Sequence, residues 1–157
     1  SKKDTGKTFY ILDEPTTGVD PVSRQEFWEM LKRLKAAGIT VFVSTPYMDE
    51  ASLCDWIALI QDGAFLKIDT PENIVQDYTE ELWAVSAKDM SRLLKDLRAI
   101  PGVKSCFAFG DTHHITVESI KPEGLKAQLK GMGHTEIKVV PIKASIEDCF
   151  MELSQAS

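Results

Sequence analysis

Two spacings of apolar residues alternate along the first half of the chain. FYILD, residues 9 to 13, and ITVFVST, residues 39 to 45, are short unbroken runs rich in β-branched and aromatic side chains. That is the pattern of strands buried on both faces of a parallel sheet. Between them, residues 20 to 37 carry apolar side chains at helical spacing, with Phe27, Leu31 and Leu34 expected on the buried face. Asp20 before Pro21 marks the helix start: an aspartate accepts from the free N–H groups of the first turn, and proline brings no N–H to be left unsatisfied. Gly38 marks its end. The pattern predicts a right-handed strand–helix–strand unit, the core of an α/β fold.

Downstream, Thr45 and Pro46 are expected to open a short helix reaching about Cys54, with Asp49 and Glu50 complementing its dipole. WIALI and AFLKI flank Asp62-Gly63, a hairpin signal, and Thr70 with Pro71 starts a further short helix. Around residues 77 to 81, DYTEE, the pattern turns polar, which places a domain boundary there and divides the chain into residues 1–78 and 79–157. The second part reads as strand 82–86, helix 88–98, strand 103–109, strand 112–117, helix 121–131, strand 136–140 and helix 145–153. Its first six elements follow the ferredoxin-like βαββαβ order, with Gly110-Asp111 turning the central hairpin. Leu93, Leu94 and Leu97, and Leu125, Leu129 and Met132, have the spacing of core-facing helix positions. No cluster of titratable residues in this part marks a site.

Composition narrows the function. With 43% hydrophobic residues in 157, the chain can bury a core. A formal net charge of −6 argues against binding nucleic acid through phosphate neutralisation; Lys2, Lys3 and Lys7 form the one dense basic cluster. No apolar run approaches the ~20 residues of a membrane span. Cys54, Cys106 and Cys149 are widely spaced, as for reduced, mostly buried thiols of a cytosolic protein. A zinc site from Cys106, His113, His114 and Cys149 lacks any CxxC or HxxxH spacing. His113 and His114 are expected to face solvent beside the turn.

The candidate chemistry lies in LDEPTTGVDP. An acidic pair, Asp13 and Glu14, at the carboxyl end of a buried strand stands where open α/β sheets bind ligands. In a phosphoryl-transfer site the first carboxylate can hold Mg²⁺ through water and the second can orient or deprotonate the attacking water.

The longer string YILDEPTTGVDP resembles the Walker B strand and D-loop of ATP-binding cassette proteins. VFVSTPYMDEASLCDWIALIQDGAFLKIDTPENI resembles the segment that follows in ATPase subunits of multidrug-type and ABC-2-type exporters, so the resemblance covers residues 9–75. The remainder is similar to the C-terminal extension of many such subunits, whose last helix resembles SIEDCFMELS. The resemblance implies the C-terminal part of a P-loop NTPase sheet with Asp13 serving Mg²⁺, Glu14 as catalytic base and Asp20 as the D-loop aspartate that reaches across a nucleotide-sandwich homodimer. It further implies ATP as ligand, a membrane-embedded permease as partner, and a cytoplasmic location at the membrane periphery. Asp20 is equally explained as a helix cap, and the two roles are compatible.

Two departures qualify the resemblance. Pro46 occupies the position of the family's switch histidine, and a proline has neither a side-chain donor nor a backbone N–H to offer a γ-phosphate. The Walker A loop, Q-loop and LSGGQ-like signature are missing. SKKDTGKT, residues 1 to 8, imitates a P-loop but runs into a strand rather than a helix, so it cannot hold phosphates at a helix N-terminus. The chain alone is therefore expected to bind MgATP poorly and to hydrolyse it negligibly. A non-catalytic interaction or regulatory module is the alternative that these departures favour. The string TGKTFYILDEPTTG also resembles the DNA-scanning ATPase of excision repair, a match that ends at VDP and lacks that protein's CxxC pairs.

Overall fold

The computed structural model describes residues 8–155, which divide into two compact units, one running through Cys54 and the other beginning at Asp55. The Lys2, Lys3 and Lys7 cluster and the P-loop imitation up to Lys7 lie outside the described residues.

In the first unit, strand β1 (Phe9–Asp13) pairs in parallel with β2 (Thr40–Ser44), in a register that sets Asp13 opposite Ser44. Helix α1 (Pro21–Ala36) connects them. Asp20 caps it: one carboxylate oxygen accepts from the amides of Val22 at 3.1 Å and Ser23 at 3.0 Å, and Pro21 takes the first position. At the other end Gly38, at φ 83, donates to Lys35 O at 2.9 Å while Ile39 donates to Leu34 O at 3.1 Å. This pair of bonds is a Schellman closure, which needs the left-handed residue that glycine supplies without strain.

Burial in this unit differs from the sequence expectation in two ways. The inward face of α1 centres on Trp28 and Leu31, with Phe27 and Leu34 only half-buried. Trp28 lies one helical turn beyond Arg24, whose guanidinium is bound to buried Glu50, so the inward face of the helix runs through positions 24, 28 and 31. The strands form where predicted, yet they are not covered on both faces: Phe9, Ile11 and Phe42 are 65%, 68% and 64% exposed. Two strands and one long helix cannot bury both faces of a sheet. Helix α2 (Met48–Ala51) starts later than Thr45-Pro46 suggests, because the Thr45 hydroxyl accepts from the Tyr47 amide at 3.1 Å and forms a turn of its own.

The second unit opens with a hairpin, β3 (Ile57–Gln61) and β4 (Ala64–Asp69), turned by Asp62 at φ 51 and Gly63 at φ 78. Both central residues are left-handed, as a type I′ turn requires. Thr70 caps α3 (Pro71–Gln76) by accepting from Asn73 N at 3.2 Å. Strands β5 (Leu82–Ser86), β6 (Val103–Phe109), β7 (Thr112–Val117) and β8 (Lys138–Ile142) form one sheet in the order β6-β7-β5-β8, each neighbouring pair antiparallel. Helices α4 (Met90–Ala99) and α5 (Pro122–Gly131) supply Leu93, Leu97, Leu125 and Leu129, all fully buried with Trp83, Val85 and Ile115. Met132, expected in that core, is instead 40% exposed: it follows the end of α5, where the helical stripe no longer applies. Helix α6 (Ile146–Gln155) packs against α3, and the Cys149 thiol reaches Ile74 O at 3.6 Å.

His113 and His114 do not face solvent. Successive residues of β7 point to opposite faces of the sheet, and each of these two meets a helix: His113 meets α4 and His114 meets α6. His113 Nε2 meets Met90 O at 2.7 Å, and His114 Nδ1 meets Asp148 Oδ1 at 2.6 Å while its ring stacks on Phe109 at 4.2 Å. Asp148 also accepts from the amide and hydroxyl of Ser145, at 2.8 Å and 2.7 Å, at the start of α6. Cys106 and Cys149 are buried, Cys54 is half-buried, and the three are thiols rather than disulfide partners.

Candidate functional site

A parallel strand pair delivers its carboxyl ends to one edge, and Asp13, Glu14, Ser44, Thr45 and Pro46 follow one another there. The Ser44 hydroxyl donates to Asp13 Oδ1 and accepts from the Glu14 amide at 3.1 Å, while Ser44 O accepts from the same amide at 2.9 Å. Glu14 adopts φ 43, a left-handed backbone that is uncommon for a residue with a long side chain. It carries the chain sharply out of β1 and leaves both carboxylates at the solvent edge. Strain of this kind persists where surrounding bonds over-determine it, and it concentrates at functional sites.

The loop that follows is pinned by turns: Thr17 N donates to Glu14 O at 3.2 Å and Val19 N to Thr16 O at 3.1 Å. Asp20 then caps α1. Hydrogen bonding from Ser23, through its side chain and then its amide, holds the Asp20 carboxyl below the ordinary aspartate value. That geometry decides a further point. The segment from β1 to α1 is a strand, loop and helix, but its helix N-terminus already holds a carboxylate of this chain, so it is not a phosphate cradle.

Sequence reading missed the neighbouring buried group. Glu50, which it assigned to a helix dipole, is 2% exposed. Its Oε2 accepts from Thr45 Oγ1 at 2.7 Å and Thr16 Oγ1 at 3.0 Å; its Oε1 accepts from Arg24 Nη2 at 2.8 Å and Nε at 3.0 Å. Burial pushes its carboxyl up, but the hydrogen bonds from Thr45, Arg24 and Thr16 outweigh that and leave it below the ordinary glutamate value. The Trp28 indole contributes in the same direction, although its Nε1 makes no hydrogen bond of ordinary geometry. The Arg24 guanidinium also lies 4.4 Å from the centre of the Tyr47 ring. One signal was available: a cation in the first turn of a helix opposes the dipole, so Arg24 asked for an acidic partner.

The donor set can be tested against magnesium. Mg²⁺ takes hard oxygen ligands, keeps several waters and is completed by phosphate oxygens. A single exposed carboxylate, Asp13, held by one serine hydroxyl, fits such water-mediated holding. Among the described residues no group of three or more His, Cys, Asp or Glu could hold a metal by protein ligands alone, so Cys106, His113, His114 and Cys149 form no zinc centre.

A carboxylate pair stands at the carboxyl edge of parallel strands, followed by an aspartate-capped helix, the place where open α/β sheets bind ligands. No family model matches the chain. Its similarities to curated proteins are extensive nonetheless. It is 33% identical over 146 residues to the Nod factor export ATP-binding protein I of Burkholderia lata, covering 92% of this chain and 46% of that protein. It is 28% identical over 149 residues to the protein of the same name from a Rhizobium species, with the same two coverages. A probable multidrug ABC transporter ATP-binding protein of Escherichia coli is 46% identical over 64 residues, 41% of this chain and 11% of that one. The chain thus spans about half the length of the Nod factor export relatives. It corresponds to a C-terminal portion of an ATP-binding cassette ATPase.

Proposed function

We propose that this chain serves as the C-terminal part of the ATP-binding subunit of an ABC exporter, coupling ATP binding and hydrolysis to transport through a membrane permease. The observation that carries the reading is the placement of Asp13 and Glu14 at the carboxyl end of β1, within a chain related over 146 residues to export ATP-binding proteins. Bound magnesium would neutralise phosphate charge during transfer. Asp13 would hold it through water, with Ser44 fixing the carboxylate. Glu14, exposed and aimed out of the strand by its backbone, would accept a proton from the attacking water as that water's oxygen bonds to the γ-phosphorus and ADP leaves. Asp20, while capping α1, would extend to a second subunit in a homodimer, and nucleic acid plays no part. The subunit would sit on the cytoplasmic face of the membrane, held there by the permease.

Residues 1–78 form the cassette portion in this reading, and residues 79–157 an accessory domain of the ferredoxin-like class. The sheet order β6-β7-β5-β8 with all pairs antiparallel supports that class. A second reading, a non-catalytic interaction module, is favoured by Pro46, which offers a γ-phosphate no donor.

Calorimetric titration with MgATP, with turnover assayed beside it, separates the readings. The chain as given is expected to bind weakly and turn over negligibly, because the backbone cradle and lysine that supply phosphate affinity are not among its described residues. A longer protein containing a Walker A loop and this sequence is expected to hydrolyse ATP, and Glu14→Gln is expected to abolish that turnover while sparing nucleotide binding. Turnover untouched by Glu14→Gln would refute the assignment.

A further inference from the structure

The buried carboxylate of Glu50 draws its partners from the loop after Glu14, from α1 and from the end of β2. Thr16 is the one buried residue of the loop between Glu14 and Asp20. Arg24 lies one turn beyond Asp20, its amide donating to Asp20 O at 2.9 Å. Thr45 separates Ser44, which holds Asp13, from Pro46. Between the Glu14 amide, held by Ser44, and the Asp20 cap, the exposed loop otherwise has its own two turn bonds and the weak 3.4 Å contact of Thr17 Oγ1 with Glu14 Oε2.

We propose that Glu50 is a positioning residue for the acidic site, anchoring the loop from Glu14 to Asp20 against the end of β2 through Thr16 and Thr45. This rests on the reading of Asp13, Glu14 and Asp20 as the nucleotide site. The chemistry requires an ionised carboxylate. Its two oxygens accept from two hydroxyls on one side and a guanidinium on the other. A glutamine of the same size has a single acceptor oxygen, and its amide would set N–H donors against either the arginine or the threonines. Anchoring at Thr16 on one side, with the Ser44 bonds to the Glu14 amide on the other, keeps an exposed glutamate at φ 43.

Amide hydrogen exchange on the chain as it stands, followed residue by residue by NMR, tests the role. In Glu50→Gln the amides of Glu14, Thr17 and Val19 are expected to exchange about tenfold faster or more, the scale of losing a hydrogen bond to a charged acceptor. The amides of Trp28 and Leu31 in α1, and those of β5 and β7, are expected to stay within about twofold. Thr16→Val, which removes one hydroxyl and keeps the shape and the Arg24 pair, is expected to speed the same three amides. It provides the decision if Glu50→Gln unfolds the unit. Unchanged exchange in the loop, or a rise shared equally by the centre of α1, would overturn the positioning role. Nucleotide and turnover do not enter this measurement. Its failure is therefore distinct from failure of the nucleotide reading, which the Glu14→Gln assay decides.

Discussion

Ser44 serves Asp13 and the backbone of Glu14 with one hydroxyl, donating to the first and accepting from the second at 3.1 Å. The Glu14 amide keeps its bond to Ser44 O at 2.9 Å whatever the side chain does. Ser44→Ala is therefore expected to cost only about 0.5–1.5 kcal/mol of stability in urea unfolding, while freeing the Asp13 carboxylate to rotate. In a complete ATPase the same change should lower turnover by about tenfold or more at saturating MgATP, because a misplaced metal-holding group costs rate out of proportion to stability.

Asp20 caps α1 with an oxygen and a charge that substitution can separate. Asparagine keeps an oxygen for the amides of Val22 and Ser23, whereas alanine keeps none. In thermal unfolding near pH 7, Asp20→Ala is expected to fall well below wild type and Asp20→Asn to fall only slightly below it. The folded-state carboxyl lies below its ordinary value of 3.8, so its charge-dependent stabilisation is present above that pH and is lost as pH falls through the folded value. The gap between wild type and Asp20→Asn should close below about pH 4. A gap that widened on acidification would contradict the cap geometry.

Burial raises the Cys106 and Cys149 thiols to about 11, so each holds about a hundredfold less thiolate at mild alkaline pH than a thiol at its ordinary 9.0. Iodoacetamide at pH 8 is expected to label half-buried Cys54 first, with Cys106 and Cys149 reacting only on unfolding. Mass spectrometry of timed aliquots reads the order directly.

Gly102 connects α4 to β6 at φ 91, and a Cβ there would stand 2.7 Å from Ile120 Cδ1 and 2.9 Å from Glu118 O. Gly102→Ala combines a left-handed backbone with a collision against main chain. It is expected to destabilise the second unit by about 2 kcal/mol or more, read as a lower midpoint in urea with an unchanged slope.

What the sequence made legible was local. Asp20 with Pro21, Gly38, Asp62-Gly63 and Thr70 with Pro71 act on groups within a few residues, and each does so where expected. The positions of Asp13 and Glu14 at a strand end followed from the apolar run before them. The exposure of β1 was not legible, since a strand's covering depends on how many neighbours reach it. The covering of His113 and His114 depends on Met90 of α4 and Asp148 of α6, which are 23 and 34 residues away in sequence. Glu50 escaped for the same reason: its arginine is 26 residues away, and periodicity on a four-residue helix says nothing about it.

The left-handed backbone at Glu14 also bears on how such a gene would drift once selection on its chemistry relaxed. A glutamate codon is one nucleotide change from glycine, the residue that occupies this conformation without steric penalty. The change would erase the carboxylate and at the same time relieve the chain. A lineage freed from any need for that carboxylate would thus meet a downhill step at this codon.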